Sequence, residues 1–187
     1  MISSSGYLGD PPAPTTVNIA AELSSWEDGV DLLLRVDVAA DPAHVWLLAT
    51  DPVRCGEWFA VWQRTGDATG GTGSDDPERI AFVFGPAETL AAQVLSCVAG
   101  VHVLLDLAGL GRVGLSLAPT ADGTATRVSL AQTFETESAA RAATPEFGPV
   151  WETHLRMLAS ALGTGMADPG EDALSARYAQ LAREPLA

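Results

Sequence analysis

The residues best suited to acid–base chemistry in this chain are His102 and Asp106. They lie four positions apart in an apolar segment whose alternation predicts a β-strand, so their side chains share one face of that strand. Val103 and Leu105 occupy the opposite face. If the His102 face lines an apolar pocket, the two groups are candidates for a general acid and a general base. If it faces outward, they meet only solvent, and the sequence leaves both placements open.

His154 is the third candidate for a catalytic role, and it is a weak one. It falls about 60° from Trp151 around a predicted helix of about 3.6 residues per turn, so its ring would reach the rim of a cavity beside Trp151. The alternative is a half-exposed helix residue with no special contact. No metal and no cofactor are predicted, because the histidines lack HExxH or paired spacing and Cys55 and Cys97 lack CxxC spacing.

Gln132 is the polar side chain best placed to bind a ligand. It shares the apolar face of a predicted strand with Leu130 and Phe134, and a buried amide there must be satisfied by a ligand or by the backbone. Aromatic residues and a helical stripe of apolar residues complete the expected pocket. The predicted ligand-binding residues are Trp58, Phe59, Trp62, Phe82, Phe84, Gln132, Phe134, Trp151, His154, Leu155 and Leu158.

Two kinds of periodicity predict the elements that position these residues. Four segments between Arg79 and Phe134 alternate with period two and are separated by Gly-containing turns, which is typical of an antiparallel sheet. Trp151, Leu155 and Leu158 share one stripe of a helix predicted over Pro149–Leu162. Glu152 and Arg156 on that helix are predicted to form a solvated surface pair of little energetic weight.

Two start signals follow the apolar strand at 32–38. Asp41-Pro42 and Asp51-Pro52 each place an N-cap residue before a proline, which predicts two short helices in succession. The second helix would end at the aromatic pair Trp58-Phe59.

The chain resembles the START-like superfamily in the motifs of its first helices and in the elements that follow them. The motifs are Asp41-Pro42, Val45-Trp46, Thr50-Asp51-Pro52 and Trp58-Phe59, and they are followed by a strand and by a closing helix that begins with a Trp. This superfamily is also called SRPBCC, helix-grip or birch-pollen-allergen-like. Within it the chain looks similar to the bacterial homologues of the activator of the heat-shock protein 90 ATPase. The resemblance implies an α+β helix-grip fold, in which a curved antiparallel sheet wraps around a long C-terminal helix and encloses a cavity.

The sequence also indicates how the chain is divided into segments. We expect a mobile N-terminal segment at 1–16, the helix-grip domain at 17–163, and at 164–187 a linker and a short C-terminal helix packing on the domain. The net charge of −14, with 24 acidic residues and 10 arginines or lysines, argues against nucleic acid and anionic membranes as partners. No secretory signal is recognisable, so a cytoplasmic monomer or homodimer is expected.

Three functions remain open at this stage. The first is binding of a hydrophobic or aromatic small molecule in the cavity. The second is a polyketide cyclase/dehydratase-like enzyme that uses a cavity His or Asp. The third is a co-chaperone or protein-interaction module, as the family resemblance implies. Fold analogy alone does not choose among them.

Overall fold

The computed structural model describes residues 18–65 and 78–187. The predicted mobile segment 1–16 lies outside these residues. The strands are β1 (Ala20–Trp26), β2 (Gly29–Val38), β3 (Val61–Arg64), β4 (Arg79–Gly85), β5 (Glu88–Val98), β6 (His102–Leu107), β7 (Gly111–Pro119) and β8 (Thr126–Phe134). The α-helices are α1 (Pro42–Thr50), α2 (Glu137–Ala161) and α3 (Glu171–Leu181), and a 3-10 helix spans Arg54–Glu57.

The eight strands form one antiparallel sheet in the order β1-β2-β8-β7-β6-β5-β4-β3. Side chains alternate between its two faces, so the register aligns apolar residues in rows across the concave face. One row runs from Leu34 through Leu130 and Leu115 to Val103. The sheet and the long helix α2 that packs against β2 and β8 confirm the predicted α+β helix-grip fold.

The two predicted short helices after β2 are present. The side chain of Asp41 accepts a hydrogen bond from the His44 amide at 3.0 Å, and this N-cap starts α1. Asp51 accepts from the amides of Val53 and Arg54 at 3.0 Å each, which starts the 3-10 helix. These backbone donors stabilise the carboxylate and lower the pKa of Asp51.

Helix α2 begins at Glu137, earlier than the start at Pro149 that the sequence predicts. Thr136 is the N-cap, and its hydroxyl accepts from the Ala139 amide at 3.2 Å. Pro145 and Pro149 both lie inside the helix. Proline is also favoured at the first turn of a helix, so Pro149 imitates a start signal within a continuous helix. None of the helices in the described part of the chain is long and apolar enough to cross a membrane.

Helix α3 packs on α2 around a buried carboxylate, and this corrects the prediction for Glu152. The Glu152 side chain is fully buried rather than solvated. Its Oε1 accepts from Arg156, and its Oε2 accepts from Arg177 at 2.6 Å and from the Tyr178 hydroxyl at 2.7 Å. The pair was predicted to lie on the surface because the residues that cover it come from α3, far along the sequence.

The rest of the C-terminal segment, residues 164–187, is tied to the domain by backbone groups. Arg177 also donates to the Ile19 carbonyl at 2.6 Å, and Arg141 donates to the Ala182 carbonyl at 2.7 Å. Ala187 exchanges two hydrogen bonds with β1: its amide donates to the Leu23 carbonyl at 2.9 Å and its carbonyl accepts from the Ser25 amide at 3.3 Å. This segment therefore connects α2 to the β1 edge of the sheet.

Candidate ligand-binding site

A cavity of about 310 Å³ lies between the concave face of the sheet, α1, the 3-10 helix and Trp151 of α2. This volume is at the lower end of the range of about 300–1,000 Å³ typical of small-molecule pockets. Its lining residues are Trp46, Ala49, Thr50, Cys55, Trp58, Phe59, Trp62, Arg64, Glu78, Ile80, Phe82, Val94, Cys97, Ala99, Val103, Leu105, Leu107, Val113, Gly114, Leu115, Leu130 and Trp151.

The floor of the cavity is the apolar concave face of β5–β8. The register places Val94 opposite Leu105 and Leu105 opposite Val113, so consecutive strands contribute one row of aliphatic side chains. A β-bulge in β5, between Val94 and Ser96, inserts an extra residue. The bulge changes which residues face inward, and this brings Cys97 into the cavity wall.

Aromatic rings form one end of the cavity, with Phe59 at their centre. Its ring meets Phe82 edge-on at a centroid distance of 4.9 Å and Phe84 edge-on at 5.3 Å. Trp151 lies 6.0 Å away in a tilted arrangement. Edge-to-face and tilted packing are the favoured geometries of aromatic pairs, so this cluster holds its own shape without a ligand.

Gln132 fixes the position of Trp151. The Trp151 indole Nε1 donates to Gln132 Oε1 at 2.8 Å, and Gln132 Nε2 donates to the Leu110 carbonyl at 2.9 Å. Gln132 is fully buried and does not line the cavity. Both ends of its amide are therefore satisfied inside the protein, and Gln132 orients a wall residue instead of facing the cavity.

His154 lies behind Phe59, outside the cavity lining. Its Nδ1 is 2.8 Å from the carbonyl oxygen of Trp58, which can only accept, so Nδ1 carries the hydrogen and donates it. The ring meets Phe59 edge-on at 4.9 Å. Burial lowers the pKa of His154, an effect that the bond to the Trp58 carbonyl partly opposes. The histidine links α2 to the residues that follow the 3-10 helix.

His102 and Asp106 lie on the outer face of β6. Val103, Leu105 and Leu107 from the same strand line the cavity, and successive side chains of a strand point to opposite faces. His102 Nε2 lies 2.9 Å from the Ser96 hydroxyl, and Asp106 is exposed. The two residues therefore face away from the cavity and are not placed to act as an acid and a base on a ligand inside it.

The predicted ligand-binding residues divide into two groups. Those that line the cavity are Trp58, Phe59, Trp62, Phe82 and Trp151; those that do not are Phe84, Gln132, Phe134, His154, Leu155 and Leu158. Leu155 and Leu158 are fully buried on α2, which packs against β2 and β8. The cavity lies beside this packed region, mainly towards β3–β7.

Sequence reasoning missed Arg64 and Glu78 among the lining residues. Period-two alternation extended by one step, from Trp62 to Arg64 and from Ile80 back to Glu78, would have found both. Arg64 Nε donates to Glu78 Oε1 at 2.6 Å. Both residues are exposed, so this pair marks the mouth of the cavity.

The polar groups deeper in the wall are largely engaged. The Thr50 hydroxyl donates to the Trp46 carbonyl at 2.7 Å, and the Trp62 indole donates to the Thr50 carbonyl at 3.1 Å. Burial raises the pKa of the Cys55 thiol to about 11, so it stays neutral at physiological pH. The Trp58 indole nitrogen has no hydrogen-bond partner among the described residues, although the Cys55 thiol lies beside it.

Metal ligands are not assembled anywhere in residues 18–65 and 78–187. No group of three or more His, Cys, Asp or Glu side chains there has a geometry that could hold a metal ion. The absence of a metal and of a cofactor from the protein stays a prediction.

No protein-family model matches the chain, and no curated protein matches it. Solved structures do. CalU16 from Micromonospora echinospora is 18% identical, over 91% of this chain and 100% of CalU16, with a TM-score of 0.64. DynU16, a protein in the dynemicin biosynthetic locus, is 21% identical with a TM-score of 0.55, over 75% of this chain and 49% of DynU16.

A third similar structure is EF2215 from Enterococcus faecalis, a conserved protein of unknown function, with 13% identity and a TM-score of 0.60. It matches over 86% of this chain and 88% of EF2215. At identities this low the likeness concerns the fold alone. The chain has the helix-grip fold.

Proposed function

We propose that this protein binds a hydrophobic or aromatic small molecule in the cavity between the sheet and α2. The observation that carries the proposal is a cavity of about 310 Å³ whose deeper walls are aliphatic and aromatic. Of the polar groups described there, the Thr50 hydroxyl and the Trp62 indole are already hydrogen-bonded, and the unpartnered Trp58 indole nitrogen is buried. An apolar body placed there would lose no hydrogen bond to water that the wall would have to replace.

Binding is favoured over catalysis by the positions of the titratable groups. His102 and Asp106 lie on the outer face of the sheet, and the Nδ1 hydrogen of His154 is used by the Trp58 carbonyl. Among the described residues, the cavity therefore lacks a convergent acid–base pair of the kind a cyclase or dehydratase would use. The occurrence of DynU16 in a biosynthetic locus keeps a biosynthetic role as the second candidate.

The narrower assignment within the superfamily belongs to the same proposal. The residues at Asp41-Pro42, Val45-Trp46 and Trp58-Phe59 support a relationship to the bacterial homologues of the activator of the heat-shock protein 90 ATPase. A container that works in the cytoplasm, as a monomer or homodimer, accords with the unpaired Cys55 and Cys97. In this proposal the partner of the protein is a hydrophobic small molecule, not a nucleic acid or a membrane.

Titration with N-phenyl-1-naphthylamine, a neutral apolar dye that fluoresces when it leaves water, tests the proposal. We expect one dye per chain. Val103→Trp, which fills the cavity from β6, should weaken dye binding at least tenfold. Val98→Trp is the matched control, because Val98 is 48% exposed and does not line the cavity, and it should bind the dye as the wild type does.

Absence of dye binding in the wild-type protein, or equal binding by both Trp variants, would contradict the proposal. Native mass spectrometry of freshly purified protein would complement the titration by detecting a ligand that co-purifies. If instead one His variant abolished turnover of a substrate found in this way, the biosynthetic alternative would replace simple binding.

A further inference from the structure

Among the described residues, the charged residues that line the cavity are Arg64 and Glu78, and both lie at its mouth. Arg64 follows Trp62 on the inward face of β3. Glu78 immediately precedes β4 and continues the inward alternation of Ile80 by one step. Backbone hydrogen bonds hold both positions: the Thr65 amide donates to the Arg79 carbonyl at 2.9 Å, and the Glu78 carbonyl accepts from the Val94 amide at 2.8 Å. The pair is therefore set at the mouth by the sheet itself.

A polar group on a ligand has few places to bind deeper in the cavity. Among the described residues, the Thr50 hydroxyl and the Trp62 indole are engaged with backbone carbonyls, and the Cys55 thiol is 2% exposed. The Trp58 indole nitrogen has no partner among these residues, but it is buried and so does not face the cavity. An unmatched polar group buried against aliphatic side chains is unfavourable, because it loses its hydrogen bonds to water and gains none in return. A ligand with a polar end would accordingly direct that end to the mouth.

We propose that the ligand is amphipathic, with an apolar body inside the cavity and an anionic head group, a carboxylate or comparable oxyanion, bound by Arg64. This inference rests on the proposed function. A guanidinium has five N–H donors in a planar fork that matches an oxyanion, and the described contact with Glu78 uses its Nε. The Arg64 side chain is 76% exposed against 46% for Glu78, so an incoming head group meets the arginine more readily.

The net charge of −14 opposes an anion only at long range. Salt screens charges beyond about 8 Å at physiological ionic strength, whereas a head group on Arg64 would be in direct contact. Glu78 competes for the same guanidinium, and its removal should therefore favour the anion.

Two dyes that share one ring system test the inference. 1-Anilinonaphthalene-8-sulfonate differs from N-phenyl-1-naphthylamine by its sulfonate, an oxyanion. Arg64→Gln should lower the affinity for the sulfonate dye about two- to fivefold, the weight of a partly exposed ion pair, and leave the neutral dye unchanged. Glu78→Gln should raise the affinity for the sulfonate dye.

Arg35→Gln is the matched control, because it removes the same charge from an ion pair at 2.9 Å with Glu22, away from the cavity lining. It should change neither affinity. If the neutral dye binds but Arg64→Gln leaves the ratio of the two affinities unchanged, the head-group assignment is overturned while the proposed function stands. An equal loss for both dyes would also overturn it. If neither dye binds the wild type, the proposed function fails and this inference with it.

Discussion

The indole nitrogen of Trp151 donates to the side-chain oxygen of Gln132 at 2.8 Å, and this bond joins α2 to β8 beside the cavity. Gln132 completes its hydrogen bonding through the Leu110 carbonyl. The fully buried Gln132 side chain thus holds Trp151, a residue of the cavity wall, in place. Its hydrogen bonds therefore contribute both to the stability of the fold and to the shape of the cavity.

Gln132→Leu should destabilise the protein by about 1–3 kcal/mol, because the buried Trp151 indole loses its acceptor and the partly buried Leu110 carbonyl loses its donor. Urea denaturation measures the loss. In the Gln132→Leu background, Trp151→Phe should cost less than it does in the wild type, since the indole N–H has already lost its acceptor. Strict additivity of the two substitutions would contradict the coupling.

Gly148→Ala should destabilise the protein, although alanine in a helix is normally favoured over glycine by about 1 kcal/mol. A Cβ built at this position would overlap the Tyr178 ring at Cδ1, so α3 would have to move. In a Tyr178→Ala background the same substitution should become neutral or stabilising. Thermal denaturation of the four proteins in this cycle measures both effects, and destabilisation of equal size in both backgrounds would refute the explanation.

Glu152→Gln should cost about 3–5 kcal/mol, because it removes the charge that Arg156 and Arg177 share in a buried site. Glu137→Gln is the matched control: Glu137 pairs with Arg141 one turn away on the same helix, and its side chain is 53% exposed. That substitution should change the free energy of unfolding by about 0.5 kcal/mol or less. Similar losses for both variants, measured in urea, would contradict the distinction.

His154 should make stability depend on pH below 6.5. Its pKa in the folded protein is lowered by burial from the model-compound value of 6.5, so the unfolded chain takes up the proton more readily. The contribution of neutral His154 is complete above pH 6.5 and decreases as the pH falls from 6.5 towards the folded pKa. His154→Phe should lack this component. The free energy of unfolding of both proteins is measured at pH 7.5 and 5.5. Between these two pH values the wild type should lose more stability than His154→Phe does.

The two cysteines should differ in reactivity. Cys97 is exposed and lines the cavity, whereas Cys55 is buried and its pKa is raised to about 11 by burial. A thiol reagent should label Cys97 in the folded chain and reach Cys55 only on unfolding. N-phenyl-1-naphthylamine should slow the labelling of Cys97. Labelling at an unchanged rate under saturating dye would mean that the dye binds elsewhere.

Local signals were sufficient to predict most of the fold. The N-cap at Asp41, the side-chain bonds from Asp51 to the amides at the start of the 3-10 helix and the period-two strands indicate the type of each element, and their order is that of the helix-grip fold. The start of α2 was wrong because Pro149 has the same preference for a first turn that it can satisfy inside a helix. Burial of Glu152 was missed because its partners Arg177 and Tyr178 come from α3.

The candidate site was less predictable than the fold. Trp58, Phe59 and Trp62, the aromatic residues at and after the 3-10 helix, line the cavity, and their role in ligand binding stays a prediction. Which half of the interior stays open depends on how α2 lies over β2 and β8, and no local pattern encodes that. The entry of Cys97 into the wall depends on the bulge between Val94 and Ser96, which reverses the alternation on which such reasoning relies.

The backbone pairing of Ala187 with Leu23 and Ser25 covers part of an edge strand and so limits self-association of the protein. β1 lies at the edge of the sheet, and the unpaired amides and carbonyls of an edge strand are a template on which another chain can add a strand. The returning backbone occupies part of that edge. Damage to the contacts that hold it, such as loss of Tyr178 or Arg177, would therefore favour edge-to-edge aggregation of chains that are otherwise still folded.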